Sequence, residues 1–233
     1  MEYNSQLQPA VPWTGRDVLL GLGLALLWIF SLIILSNVGQ RNGWVIDSSV
    51  VVVIGTAGLL LPIWYLTIYK YGASWAALGL RGFQPSAIGL GCGLMLLSGL
   101  FNLLYGALLA LYGRQVQPDI GLLFEETNSP LLLFLGGVVV APVVEEIFFR
   151  GFIFGGLRNR WEWKKAAVFS AGLFALAHLL PTSILPIFIL GVIFATLYQF
   201  SGSIWPAILM HMLTNTLALS AAYAISQGWV PAP

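Results

Sequence analysis

The sequence has 233 residues, of which 58% are hydrophobic and only 8% are charged. An ordinary soluble domain carries about 25% charged residues, so this composition excludes a water-soluble globular protein and indicates an integral membrane protein. The net charge of +1, with no basic run, gives no indication of nucleic acid as a partner. The single cysteine, Cys92, excludes an intramolecular disulfide and a multi-cysteine metal site.

Apolar runs of about 20 residues, the length that crosses a hydrocarbon core, recur along the chain. They predict an all-α fold, a polytopic transmembrane helix bundle with about seven spans (six to eight). The spans are expected at 18–36, 48–69, within 85–112, at 130–157, 166–180, within 183–200 and at 204–225. The run after Arg16 and Asp17 is too long for a signal peptide, so it is expected to be a retained first span. Lys70–Gln84 is predicted to be an interfacial segment that does not span.

The distribution of Lys and Arg predicts the orientation in the membrane. If seven spans alternate, Arg150 lies inside the membrane, and the two sides carry unequal numbers of cations. One side collects Arg16, Lys70, Arg81, Arg158, Arg160, Lys164 and Lys165, and the other collects Arg41 and Arg114. The N-terminus is therefore expected to be cytoplasmic.

The fourth predicted span contains three ionisable residues, Glu145, Glu146 and Arg150. A charge near the bilayer centre costs roughly 2.5–3.5 kcal/mol, so this cluster needs a reason. Glu146 and Arg150 are four residues apart and can pair on one helix face. Glu145 lies about 100° away and needs a partner on another helix. A purely structural ion network is the alternative, whereas the loop pair Glu125–Glu126 is expected to be solvated.

Both histidines also lie in predicted spans, His178 in the fifth and His211 in the seventh. Phe174 precedes His178 by four residues, and Asn215 follows His211 by four, so each pair shares a helix face. A lone intramembrane histidine is often structural. Two of them, with Glu145 left without a local partner, are expected to face the interior of the bundle and to meet there.

These side chains suit the hydrolysis of an acyl bond, with a peptide favoured. A poorly solvated carboxylate can act as a general base on water, beside a neutral imidazole, and a second His and an Asn can stabilise an oxyanion. Ser170 and Cys92 have no base at a fixed spacing, so a covalent nucleophile is not favoured. Glu145, His178 and His211 could instead hold zinc with an open position, but the HExxH motif is absent and a metal-free mechanism is preferred.

Three motifs, in this order on three apolar segments, resemble those of the CPBP (Abi) family. They are Glu145-Glu146-x-x-x-Arg150, Phe174-x-x-x-His178 and His211-x-x-x-Asn215. The family comprises intramembrane proteases related to the CAAX prenyl endopeptidase and to bacteriocin-processing proteins. The resemblance covers about residues 130–220. It implies that Glu145 and His178 activate water, that His211 and Asn215 stabilise the oxyanion, and that Glu146, Arg150 and Phe174 support the site.

The resemblance implies an intramembrane endopeptidase with its active site inside the bundle, acting on a peptide or membrane-protein substrate in the lipid bilayer. No cofactor is favoured, and zinc stays as the alternative. The short loops suggest a prokaryotic cell membrane and make a prenylated substrate less favoured. The expected parts are a flexible tail at 1–15, N-terminal helices at 16–129, a catalytic core at 130–226 and a C-terminal tail at 227–233.

Two other classes of function stay open at this point. In a non-catalytic membrane protein that binds a peptide or partner, such as an immunity factor, substitution of the candidate catalytic residues is expected to leave the phenotype intact. A proton-coupled transporter could use Glu145 and the histidines as a relay, but the sequence shows no inverted repeat of the kind many transporters carry. The oligomeric state is not indicated.

Overall fold

A computed structural model describes residues 10–44, 46–116, 124 and 127–230. These residues form seven helices and contain no strand, which confirms the all-α class. The helices are α1 (Gly15–Arg41), α2 (Ser48–Tyr69), α3 (Ser86–Ala110), α4 (Pro130–Leu157), α5 (Trp163–Ala177), α6 (Pro181–Ser201) and α7 (Trp205–Ser226). Within this part of the chain, all of them except α5 are long and apolar enough to cross a membrane.

The fifth helix differs from the span expected at 166–180. It has 15 residues and ends at Ala177, so it is shorter than the roughly 20 residues that cross a bilayer. Leu179 has a φ of 54°, which turns the chain back toward Pro181 and the start of α6. The described residues therefore give six candidate spans, within the expected range of six to eight.

Two other expectations need correction near the N-terminus. Helix α1 continues to Arg41, so the loop expected from Asn37 begins later. A flexible tail was expected over residues 1–15, but residues 10–15, the described part of it, include Trp13, which is fully buried. The indole Nε1 of Trp13 donates to the carbonyl of Phe152 at 2.9 Å, and the amide of Asn159 donates to the Val11 carbonyl at 2.8 Å.

Some predictions fall on parts of the chain outside the described residues. These are the tail at residues 1–9, the last three residues, and the polar connection that holds Asp119, Glu125 and Glu126.

The segment between α2 and α3 was predicted not to span the membrane, and the structure contains no spanning helix there. It contains a short 3₁₀ turn, Trp75–Leu78, whose last side chain is fully buried in the core. Gly79 follows with a φ of 92°, and its carbonyl accepts a hydrogen bond from the backbone of Ile204 at 3.0 Å. The hydroxyl of Ser203 donates to the Arg81 carbonyl at 2.6 Å. These bonds tie the segment to the turn that starts α7.

Candidate active site

Helix α4 carries the candidate site, and its backbone is irregular on both sides of the glutamate pair. The α-helical turn Ala141–Glu146 lies between two π-helical stretches, Leu135–Val140 and Ile147–Phe154. Stretches of π-helix inside α-helices are rare, and those that occur are often found at functional sites. The sequence predicted a helix here but did not predict the π-helical stretches.

Pro142 explains where the first π-helical stretch ends. In that register the carbonyl of Gly137 would accept from the N–H five residues later, and that residue is Pro142, which has none. The side-chain amide of Asn215 donates to the Gly137 carbonyl instead, at 2.8 Å. A buried carbonyl is costly to leave unpaired, so this bond fixes α7 against α4 at the interruption.

Glu146 and Arg150 form the ion pair that their spacing predicts. Both side chains are fully buried, and the Arg150 Nη1 donates to Glu146 Oε1 at 2.9 Å. Arg150 Nη2 donates to the carbonyl of Gly191 on α6 at 3.1 Å. The guanidinium also lies 4.4 Å from the ring centroid of Phe174 and 5.2 Å from that of Phe194. Cation–π contacts of this kind stabilise a desolvated guanidinium.

His211 joins the two glutamates. Its Nδ1 lies 3.0 Å from Glu146 Oε1, and its Nε2 lies 3.7 Å from Glu145 Oε2. Because an ionised carboxylate only accepts hydrogen bonds, the geometry assigns a proton to Nδ1. The ring stacks on Phe194, with centroids 5.1 Å apart and planes 24° apart. The orientation of His211 is thus set by a bond and by a stacked ring.

Glu145 differs from Glu146 in exposure. The Glu145 side chain is 21% exposed, whereas that of Glu146 is completely buried. Glu145 therefore lies at the edge of the buried network, where a substrate or water can reach it. Its partner lies on another helix, as the position of Glu145 predicted. That partner is His211 on α7.

His178 contacts its own helix, α5. It caps the end of α5, with Nδ1 2.8 Å from the Phe174 carbonyl, and no hydrogen bond or ion pair joins it to Glu145 among the described residues. A carbonyl oxygen only accepts, so Nδ1 carries the proton and the Nε2 of a neutral ring keeps its lone pair. The Phe174 ring packs against both imidazoles, 4.8 Å from His178 and 5.6 Å from His211.

The alternative nucleophiles occupy structural or remote positions. Ser170 is fully buried, and its hydroxyl donates to the Phe149 carbonyl at 2.7 Å. Cys92 is exposed on the surface of α3. Neither of them hydrogen-bonds a histidine or a carboxylate in the described structure.

The zinc alternative was also tested against the geometry. Among the described residues, no group of three or more His, Cys, Asp and Glu side chains is arranged to hold a metal ion. Glu145, His178 and His211 are thus not assembled as a ligand set, and His211 Nδ1 is already directed at Glu146. The residues as placed do not fit a zinc ion.

Sequence reasoning missed the residues that surround the charged groups. Gly191 accepts from Arg150 through its backbone, and Phe194 stacks on His211. Both lie in an apolar span with no charged neighbour, so the sequence carried no signal for them.

Comparison with known proteins identifies the segment that holds these groups. Residues 127–217 match the family described as Type II CAAX prenyl endopeptidase Rce1-like. This segment belongs to the CAAX prenyl endopeptidase family of membrane proteases. The match includes both glutamates, Arg150, both histidines and Asn215, which confirms the resemblance seen in the three motifs.

Two bacterial relatives extend the comparison. The chain is 30% identical over 147 residues to "Putative membrane peptidase YdiL" of Bacillus subtilis (strain 168), covering 60% of each chain. It is 31% identical over 154 residues to "Membrane-embedded CAAX protease MroQ" of Staphylococcus aureus (strain USA300), covering 63% of this chain and 56% of that protein. The aligned region thus spans less than two thirds of either relative. No solved structure matches the chain significantly.

Proposed function

We propose that this protein is an intramembrane endopeptidase that hydrolyses a peptide bond of a membrane-associated or peptide substrate. The observation that carries the proposal is His211 held between two carboxylates, Glu146 and Glu145, inside a helix bundle. The family of the segment supports a peptidase, and the printed names of both relatives describe membrane peptidases or proteases. The catalytic core is proposed to be residues 130–226.

Glu145 is the proposed general base, because it is the partly exposed member of the pair. It takes a proton from water, the resulting hydroxide oxygen bonds to the substrate carbonyl carbon, and a tetrahedral oxyanion forms. The proton then passes to the amide nitrogen as the C–N bond breaks, which releases an amine and a carboxylic acid. His178 presents an Nε2 lone pair and is proposed to orient and help deprotonate the water.

His211 and Asn215 are proposed to stabilise the oxyanion. An imidazolium at His211 donates from both nitrogens, so Nε2–H can serve the oxyanion while Nδ1–H stays on Glu146. The Asn215 amide has two N–H groups and uses one on Gly137, which leaves one for a ligand. Glu146 and Arg150 hold His211 in place and are positioning residues.

The substitution Glu145→Gln tests the proposed base with almost no change in shape. Removal of a general base lowers rates by about 10²–10⁴-fold, so we expect cleavage to fall by at least 100-fold while insertion and folding persist. Glu162→Gln is the matched control, because that glutamate is 75% exposed in the loop before α5. Since the substrate is unidentified, the readout is the set of membrane and secreted peptides that differ between cells carrying each variant. Unchanged peptide profiles in Glu145→Gln cells would favour a non-catalytic binding or immunity protein.

A second experiment addresses the metal alternative. Because the described side chains form no metal-binding group, we expect cleavage by purified protein to survive treatment with a strong chelator. Elemental analysis of the treated protein provides the control for metal removal. Loss of activity that zinc restores would reverse this part of the proposal.

A further inference from the structure

A second polar site lies at one end of the bundle, away from the glutamates. A cavity of about 430 Å³ is lined by three cationic side chains from three separate elements, Arg16 on α1, Lys70 after α2 and Arg160 after α4. We call it the basic cavity. Arg160 follows the end of α4, and Glu146 lies eleven residues before that end, or about 16 Å along the helix axis. The basic cavity is therefore separate from the candidate active site.

The one carboxylate in the lining, that of Asp17, is already occupied. It accepts from the Lys70 ammonium at 2.5 Å, from the Tyr71 hydroxyl at 2.8 Å, and from the Thr14 backbone and hydroxyl at 2.7 and 2.8 Å. Asp17 is 3% exposed, so its charge is enclosed by its donors and balanced by Lys70. Within the described residues, no ion pair involves Arg16 or Arg160. In the described part of the chain, the cavity thus retains two guanidinium groups that form no ion pair.

The walls of the cavity are held by buried contacts. Trp13 is fully buried and bonds to the Phe152 carbonyl of α4. The Asn159 side chain bonds to the backbone of both Val11 and Trp13, at 2.8 and 3.2 Å. Arg16 follows Trp13 by three residues and Arg160 follows Asn159 directly, so these bonds hold the two arginine-bearing segments against each other.

We propose that the basic cavity binds a phosphate group. Arginine forks match phosphate oxygens in paired hydrogen bonds, and two of them here lack an acidic partner in the described structure. The cavity also lies at the ends of three spans, on the side where the sequence concentrates its Lys and Arg residues. Basic pockets between spans on that side recognise the headgroups of anionic lipids. The phosphate can come from such a lipid or from a soluble ion, and this inference does not depend on the proposed peptidase activity.

The test uses the full chain in lipid nanodiscs made of phosphatidylcholine alone or with phosphatidylglycerol. The variants are Arg16→Gln, Arg160→Gln and the double variant, and Arg114→Gln is the matched control because it is an exposed cation just beyond α3. Native mass spectrometry measures the retained phosphatidylglycerol. A cation that pairs with a bound anionic headgroup contributes a factor of about five to its affinity, so we expect about fivefold weaker retention for each substitution in the cavity and about 25-fold for the double variant, with a smaller loss for Arg114→Gln outside it.

Two further arms of the experiment identify the source of the phosphate and control for misfolding of the variants. Detergent-solubilised protein is titrated with inorganic phosphate, and a thermal shift lost in the double variant would support the cavity with a soluble ligand. The variant Arg16→Lys/Arg160→Lys keeps both charges and should retain more lipid than the double Gln variant. The proposal is overturned if the double Gln variant retains lipid and responds to phosphate as the Arg114→Gln control does.

Discussion

The first three membrane spans and the last three are packed in different ways. In the most apolar stretches of α1, α2 and α3, 17%, 17% and 11% of the residues are buried, against 44%, 61% and 28% in α4, α6 and α7. The first group turns most of its surface to lipid, as a bilayer allows. The second group encloses the buried side chains of Glu146, Arg150 and His211, which lipid cannot solvate. Internal burial in this molecule thus follows the polar site.

Two ion pairs show the same contrast on a smaller scale. Glu146 and Arg150 are both fully buried, so each charge is stabilised by the other and by nearby protein dipoles and not by water. In the pair of Asp17 and Lys70, the lysine side chain is 45% exposed and water shares in its solvation. The energetic consequence of losing one partner should therefore differ strongly between the halves.

The largest effect on stability is expected from Arg150→Met. It leaves the Glu146 carboxylate buried without its cation, and removal of one partner of a buried pair costs about 3–5 kcal/mol. The free energy of unfolding, measured in lipid bicelles, checks this value. Lys70→Met is the control from the first half, and we expect a much smaller loss because its partner keeps three other donors. Equal losses in both variants would show that the two halves do not differ in this respect.

Glycine positions give the next comparison. A Cβ added at Gly191 would lie 2.8 Å from the Cβ and 2.9 Å from the Cα of Ala171, so α5 and α6 would have to move apart. Overpacking of this kind costs about 1–3 kcal/mol, and we expect Gly191→Ala to lose that much stability. At Gly89 on α3 a Cβ would meet nothing within 4 Å, so Gly89→Ala should be close to neutral. A destabilised Gly89→Ala would show that α3 is packed more tightly than its exposure indicates.

The sequence predicted the elements better than the contacts between them. Apolar length located the spans, and the spacing of four predicted the Glu146–Arg150 pair, because both signals are local. The partner of Glu145 depends on how far α7 is shifted along α4, which no local pattern records. The expectation that His178 lies beside Glu145 stays a prediction, and the hydrogen bond from His178 to the Phe174 carbonyl is a detail that the spacing of four alone did not reveal.

The backbone of α4 gives a second example of this limit. Pro142 predicts that an N–H is missing, but not that π-helical stretches form on both sides of residues 141–146. It also does not predict that Asn215 supplies the missing donor. That bond exists only because α7 packs against α4, so it is a property of the tertiary structure.

A double substitution can test this account of Pro142. Asn215→Ala leaves the Gly137 carbonyl without its side-chain donor, and interhelical hydrogen bonds in membranes contribute about 0.6 kcal/mol on average and up to about 1.7. We expect a loss of about 1 kcal/mol. In a Pro142→Ala background the restored N–H can reach the same carbonyl, so Asn215→Ala should cost less there. The coupling is read from unfolding free energies of the four proteins, and strictly additive losses would contradict it.

The smallest expected effect concerns Asp47, which connects the two halves. Its carboxylate accepts from the Ser49 hydroxyl and backbone at the start of α2, and from Thr127 and Asn128 just before α4. These hydrogen bonds, with the Ser49 hydroxyl first, lower the pKa of Asp47 from 3.8 to about 2. A lowered pKa stabilises the folded protein above about pH 4, and this stabilisation is lost as the pH falls through about 2.

Asp47→Asn should remove this part of the pH dependence. We expect its unfolding temperature to be lower than that of the wild type at pH 5 and to approach the wild-type value as the pH falls toward 2. Glu162→Gln, which changes an exposed carboxylate, should instead keep a constant small difference from the wild type. Thermal unfolding in detergent from pH 5 to pH 2 provides the measurement. If Asp47→Asn also stays at a constant offset, the bonds at Asp47 do not couple α2 to the entrance of α4, and the site-bearing half is held independently of the first two spans.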